Sequence, residues 1–318
     1  MSDRAEGMGE GGWDCHVHVF DAAAPARLGH YRPVDRPLAQ IEATALEQRV
    51  RHLVLVQPSV YGTDNTLMLS ALALEPGRHR GVAVVSDDVA DAELDAMHAA
   101  GVRGVRLNLV SPVGERVDPA RRFAALAPRL RRLNWHLQWY ADAGQLPRIA
   151  ELHGSGSVAC VLDHLAGLGA HVADDHPAWR AAERLAAGGA WLKLSGWYRL
   201  DAQAPYTSLV PRIRRLAGLF GERMVWGSDW PHTIFAPEAM PPYAETWQPV
   251  VEALGVEAAV APVAEGSVVA LGAGCERQRK EHREASACQH HPQSSSLLTA
   301  PSTRGKSDQR LTPHPSRP

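Results

Sequence analysis

The stretch "WDCHVHVFD", residues 13–21, places two histidines one residue apart in an otherwise largely apolar run. The run alternates and is rich in Val and Phe, which predicts a strand. Side chains two apart on a strand share a face. His16 and His18 would therefore project together, with Cys15, Val17 and Val19 on the opposite side. Two adjacent imidazoles can share a divalent metal ion or grip one oxygen atom. The competing reading is a hydrogen-bonded structural pair, and an isolated His-x-His is too short to choose between them.

Other apolar runs end in polar groups that could join this pair. "HLVLVQP" ends near Gln57 and Ser59, "GVRLNLV" carries Arg106 and Asn108, and "WHLQWYA" carries Gln138 and Tyr140. "VACVLDH" ends in Asp163 and His164, "AWLKLSG" in Ser195 with Arg199 just beyond, and "MVWGSDW" reaches Ser228 and Asp229. Each has a plain structural reading: Asp163 as a loop cap, Arg106 as an ion-pair partner, Tyr140 as packing. Together they hold the parts for hydrolysis of an acyl bond. A carboxylate can take a proton from water. Imidazoles, with or without a metal, can polarise a carbonyl. Two arginines can clamp a substrate carboxylate.

The elements that must position these residues follow a regular rhythm. Short strand-like runs, with "GVAVVS" as the third, alternate with helix-patterned segments such as "PLAQIEATALEQR", "AELDAMHAAG", "PAWRAAERLAAG" and "SLVPRIRRLAGLFG". A last helix is expected in "YAETWQPVVEAL". Strand and helix alternating eight times over roughly 250 residues predicts an α/β fold, a (β/α)8 TIM barrel. A doubly wound open sheet is the alternative, but no Gly-rich phosphate loop follows the first strand. In a barrel the active site lies at the C-terminal ends of the strands, where the polar groups above fall.

Composition sets the outer bounds. The chain has 318 residues, is 45% hydrophobic and carries a formal charge of −2. It can bury a sizeable core, and nothing in its charge calls for a nucleic-acid partner. The arginine clusters "RRFAALAPRLRR" and "RIRR" read as solvated helix faces. Cys15, Cys160, Cys275 and Cys288 form no Cys-x-x-Cys pair, which argues against a disulfide framework or a cysteine zinc site. The polar start lacks the apolar core of a signal peptide, and no run reaches the ~20 apolar residues of a membrane span. A cytoplasmic setting with a small-molecule partner is expected. Residues 1–12 are expected to be flexible, 13–272 to form the barrel domain, and 273–318 to be a disordered tail rich in Ser, Pro, Gln, Arg and His. Trp197 and Trp230 are expected beside the mouth, facing a planar substrate.

"DCHVHVFD", "VLDHLAG" and "WGSDWPH", in that order, resemble the amidohydrolase superfamily. "LVQPSVYGTDN" and "GVRGVRLNLV" are similar to the amidohydrolase-related (amidohydrolase 2) group that includes pyrone dicarboxylate lactonases. The resemblance spans about residues 13–270 and implies a lactone-opening hydrolase of a carboxylated, pyrone-like or sugar-acid-like molecule. It implies Asp229 as the base toward water, His164 as a ligand or carbonyl-polarising group, and His16 and His18 as catalytic groups. It also implies His16, His18 and Asp229 as the ligands if one Zn2+ is bound, and Ser59, Arg106, Tyr140 and Arg199 as substrate-binding residues. Arg106 and Asn108 on the fourth strand and Gln138 on the fifth argue against a second metal.

Departures from the group matter too. The arginine expected after the sixth-strand histidine is absent in "DHLAGLG", and Arg116 is not clearly aligned as a substitute for another, which implies a substrate with fewer carboxylates or a different substrate. "VVALGAGCERQRK" stands where an Asn-Pro motif is expected, pointing to a shifted reading frame or an unrelated extension. Two other readings are a metal-dependent decarboxylase of an aromatic acid, using the same four residues, and an inactive remnant of the family.

Overall fold

The computed structural model describes residues 12–27, 31–114, 118–154 and 158–260. Of the segment expected to be flexible, only Gly12 is described, and it opens the first strand; the rest of it, the expected 273–318 tail, the segment in place of the Asn-Pro motif and Arg116 lie outside the described residues. Eight parallel strands follow one another in sequence order around a single sheet. They are β1 (Gly12–Val17), β2 (Val50–Val56), β3 (Arg80–Ala83), β4 (Val102–Asn108), β5 (His136–Tyr140), β6 (Cys160–Leu162), β7 (Trp191–Leu194) and β8 (Met224–Trp226). The helices between them are α1 (Leu38–Glu47), α2 (Thr66–Leu74), α3 (Asp91–Ala99), α4 (Pro119–Leu133), α5 (Leu146–His153), α6 (Pro177–Ala187) and α7 (Val210–Phe220). After β8 come α8 (Gln248–Leu254) and a short α9 (Val256–Val260). This is the (β/α)8 barrel that the sequence rhythm predicts.

Alternation along each strand separates two apolar layers. Leu162, Leu192, Leu194 and Trp226 face the helices in the main core. Val161, Trp191 and Val225, one residue out of phase, join Trp13, Cys15, Val54, Val56 and Val82 in a second cluster. Residues from six strands can meet this way only in the lumen, so this cluster plugs the barrel. The helices dock their apolar stripes on the outside. In α4, for example, Asp118 accepts a hydrogen bond from the Ala120 N–H, Pro119 occupies the first turn, and Leu126 and Leu130 are buried.

The seam between β1 and β8 closes through the backbone beyond the strand ends. The Asp229 N–H donates to the His16 carbonyl at 2.9 Å, and the His18 N–H to the Trp230 carbonyl at 2.9 Å. Asp14 stitches the same seam from the side. Its Oδ1 accepts from the N–H groups of His16 and Ser228 at 3.0 Å each, and its Oδ2 from the Tyr243 hydroxyl at 2.9 Å. The chain after β8 covers the outer wall: Trp197 and Trp226 both donate to the Thr246 carbonyl, and Trp226 packs edge-on against Trp247.

Three expectations need correction. Cys15 lies in the lumen, not opposite the histidines. Between Asp14 and Val17 the first strand advances three residues against two on β2, and such a bulge turns neighbours to one side. Arg122 is not on a solvated face: it is 3% exposed, bonded to Asp87 and the Val85 carbonyl. Trp197 is buried in the helix-side core rather than at the mouth, because its ring fills the space against the segment after β8.

Candidate active site

The C-terminal mouth gathers the predicted residues. The bulge in β1 aims His16 inward, and His18 follows just past the strand end; their rings lie 5.0 Å apart, edge to face. Gly227 makes room for His16, since a Cβ there would overlap its backbone and side chain. His164 follows β6 in a left-handed turn, with φ of 49° at His164, 51° at Leu165 and 57° at Ala166. Its Nδ1 is 2.9 Å from the Ser195 Oγ, and its ring packs over Gly196, which has φ of +62° and no space for a side chain. Asp229 also has a positive φ, 61°. Left-handed backbone at non-glycine residues costs about 1–3 kcal/mol each and persists where surrounding contacts enforce it.

Asp229 is fully buried and its two oxygens differ. Oδ2 accepts from the Arg199 Nε at 2.5 Å and the Tyr198 hydroxyl at 2.7 Å. Oδ1 has no hydrogen-bond partner among the described residues and lies 3.5 Å from the His18 Nε2 and 3.6 Å from the His16 Nε2. The His18 Nδ1 sits 2.7 Å from the Val56 carbonyl, which can only accept. Nδ1 therefore carries the proton of the neutral ring, and Nε2 presents a lone pair toward Asp229. An acceptor facing an acceptor across 3.5 Å calls for a proton donor or a cation between them. The Nε2 atoms of His16 and His164 are buried without a partner as well.

These residues have the make-up of a metal site. The His16 and His18 nitrogens and one Asp229 oxygen lie within 4.8 Å of one another, two imidazoles and a carboxylate, as one Zn2+-type ion requires. The orphaned Asp229 Oδ1 and His16 Nε2 fit that role. A second group, His16, Asp163 and His164, also lies within 4.8 Å. There a cation is already present: the Lys193 ammonium is 3.5 Å from the Asp163 Oδ1, and the Arg106 Nε is 2.9 Å from Oδ2. The donor set therefore suits one ion, not two.

Burial governs the ionisation of the site. It pushes His164 down to about 4, with Arg199 and Arg106 acting in the same direction and Asp229 and Asp163 opposing. His16 and His18 are likewise depressed by burial. Burial alone would raise Asp229, but Arg199 above all holds it well below the usual carboxylate range. For Asp163 burial is outweighed by Lys193, with His16 and Arg106 adding to the effect. At neutral pH the site thus pairs ionised carboxylates with neutral imidazoles.

The proposed substrate residues line the mouth above. His18, Ser59, Arg106, Asn108, Tyr140 and Arg199 border one cavity. The Asn108 amide donates to the Ser59 Oγ at 2.6 Å and orients it. The Tyr140 ring lies within reach of two guanidiniums, 5.1 Å from Arg106 and 5.8 Å from Arg199. Each arginine spends its Nε on a carboxylate, and Arg199 also donates from Nη2 to the Thr233 hydroxyl at 3.4 Å, so neither presents its whole fork to the cavity.

Sequence reasoning missed Lys193 and Tyr198. Lys193 had a signal: in "WLKLS" it shares its phase with Trp191 and Ser195, the lumen side. Tyr198 had none, because its approach to Asp229 depends on the turn after β7.

Residues 13–253 match the amidohydrolase family Amidohydro_2. A curated relative, the 2-pyrone-4,6-dicarbaxylate hydrolase of Comamonas testosteroni, is 32% identical over 238 residues, covering 70% of this chain and 77% of that protein. The 4-sulfomuconolactone hydrolase of Rhizobium radiobacter is 28% identical over 238 residues, covering 73% and 80%. A solved structure of a candidate 2-pyrone-4,6-dicarboxylic acid hydrolase from Pseudomonas putida superposes with a TM-score of 0.74 at 31% identity, covering 84% of this chain and 99% of that one. With its barrel, its seam histidines and its β8 aspartate, the chain belongs to the amidohydrolase family.

Proposed function

We propose that this protein opens the lactone ring of a carboxylated small molecule by attack of water. The observation that carries the reading is the meeting of Asp229 Oδ1, His18 Nε2, His16 Nε2 and His164 Nε2 at a mouth bordered by Arg106 and Arg199. A water held there donates its two protons to Asp229 Oδ1 and His18 Nε2 and keeps a lone pair for the carbonyl carbon. Asp229 takes a proton as the water oxygen bonds to the carbonyl carbon and returns it to the ring oxygen as the acyl carbon–ring oxygen bond breaks. His164 donates from Nε2 to the carbonyl oxygen, its Nδ1 accepting from the Ser195 hydroxyl. Ser59, Tyr140 and the Nη groups of Arg106 and Arg199 hold a substrate carboxylate. Arg106 and Arg199 border the cavity and none of the described residues around it is a carboxylate, which favours an anionic substrate.

His16, His18 and Asp229 would hold one divalent ion of the Zn2+ type; when bound, it supplies carbonyl polarisation and a more acidic water. Both similar curated proteins are named as hydrolases of lactone-type or pyrone substrates, which supports the reaction class. No helix among the described residues is long and apolar enough to cross a membrane. The buried free thiols Cys15 and Cys160 support a reducing, cytoplasmic setting. Residues 13–272 are the working unit in this reading.

The test is hydrolysis of a lactone panel, including pyrone and muconolactone acids, with and without chelator, beside His164→Ala and Asp229→Ala. Ring opening that disappears in both variants supports the reading, and chelation with Zn2+ rescue decides the metal. Carbon dioxide release with no ring opening would replace it with the decarboxylase.

A further inference from the structure

Below the mouth, Lys193 is 1% exposed in the lumen. Burying an ammonium costs several kcal/mol unless its partners offset it, and a Met of similar shape would fill the same space without that cost. Its partners all lead to one place. The Nζ donates to the Cys15 carbonyl at 2.9 Å, the residue preceding His16, and to the Gln138 Oε1 at 2.7 Å. Gln138 in turn donates from Nε2 to the Asp163 Oδ2 at 3.0 Å, and Arg106 donates to the same oxygen at 2.9 Å. The remaining Asp163 oxygen, Oδ1, lies 3.5 Å from Nζ and 3.3 Å from the His16 Nδ1.

Two atoms thus compete for His16 Nδ1: the Asp163 carboxylate, which would accept a proton from it, and the Lys193 ammonium at 3.4 Å, which would donate one to it. Lys193 already spends two of its three protons on Cys15 and Gln138, which leaves the third for the Asp163 Oδ1 at 3.5 Å or the His16 Nδ1 at 3.4 Å. Asp163 Oδ1 has no aligned hydrogen-bond donor among the described residues, and the groups nearest to it that could supply a proton are His16 Nδ1 at 3.3 Å and Lys193 Nζ at 3.5 Å. A lone pair on Nδ1 would face that carboxylate at 3.3 Å and be repelled.

We infer that Lys193 is the positioning residue of the site: it anchors Asp163, Gln138 and the Cys15 carbonyl so that Asp163 takes the Nδ1 proton of His16 and leaves its Nε2 lone pair toward the reaction centre. The inference deepens the lactonase reading, since it assumes that the His16 Nε2 faces the reacting atoms. A fixed hydrogen-bond partner behind an imidazole sets both its tautomer and its orientation.

The experiment uses the full-length protein. 15N-histidine NMR at neutral pH reads the tautomer of His16, assigned by its loss in His16→Gln. Lys193→Met and Lys193→Gln are then compared by the same spectrum, by a melting curve and by kcat and KM for lactone opening. The expected result is an Nδ1–H tautomer in the parent protein. In a folded variant His16 should become a tautomer mixture, kcat should fall about 10–100-fold and KM should change little. An Nε2–H tautomer in the parent protein overturns the inference without any variant. So does a folded variant with unchanged tautomer and kcat, and so does failure of both variants to fold, which would make Lys193 a structural cation. A parent protein that opens no lactone but shows the tautomer shift sinks the lactonase reading and leaves the positioning role standing.

Discussion

Asp163 and Asp229 are the same residue type, each fully buried beyond the end of a barrel strand and each paired with an arginine through Nε. They differ in what is left over. Asp163, with φ of −73°, sits in the lumen with Arg106 and Gln138 on one oxygen and His16 and Lys193 against the other. Asp229, with φ of 61°, has Arg199 and Tyr198 on one oxygen and only imidazole edges near the second. Asp163, with a cation beside each oxygen, is suited to hold other groups in place. Asp229, equally buried, has only imidazoles beside its second oxygen and keeps it as an acceptor for a reacting proton. Position relative to the mouth, not residue chemistry, separates the two.

The strongest way to break this comparison is to neutralise each carboxylate in turn. Asp229→Asn should lower kcat/KM roughly 10²–10⁴-fold, the range for a lost general base, with a cooperative melt retained. Asp163→Ala should instead cost stability, about 3–5 kcal/mol, because Lys193 and Arg106 lose their buried counter-charge. Equal stability losses with equal activities would erase the distinction; chemical denaturation beside steady-state kinetics gives both numbers.

Acid should act on the frame around both carboxylates. His136 is pushed down to about 3 by burial, and His164 and His232 to about 4. Histidines in the unfolded chain titrate near 6.5. Between those values the unfolded state binds protons that the folded state does not, so these groups contribute stability above about pH 6.5 that is lost as pH falls toward 4. A tenfold difference in proton affinity between the two states is worth about 1.4 kcal/mol. Asp14, raised by burial to about 6, works the other way and offsets a part. Melting temperatures should therefore fall from pH 7 to pH 5, and a flat profile would contradict neutral burial of these rings.

A finer test addresses the bonded oxygen of Asp229. Tyr198→Phe removes one donor while Arg199 remains, and should lower kcat roughly tenfold, the equivalent of one hydrogen bond to a charged group. Unchanged kcat would mean that Arg199 alone orients the carboxylate. The smallest effect is expected from ending the chain after residue 272: kcat/KM should stay within about twofold, since the site and its seam lie within residues 12–260. A large loss would place residues 273–318 in the working protein.

The sequence by itself determined the barrel and most of the mouth. The βα rhythm is local, and alternation along a strand decides which side chains face inward, so His16, His18, Arg106, Tyr140, His164 and Asp229 could be named from their places alone. Observed strands are shorter than the apolar runs that signalled them, as at β6 and β8, because hydrogen-bonded pairing ends before the runs do. Only the tertiary structure decided how those groups are used. The bulge that turns Cys15 into the lumen depends on pairing with β2. The contact of Lys193 with Cys15 joins residues 178 apart, and that of Tyr198 with Asp229 joins residues 31 apart across a turn. Such contacts follow from closing the barrel, which brings every strand end to one rim; no pattern within a single strand carries that information.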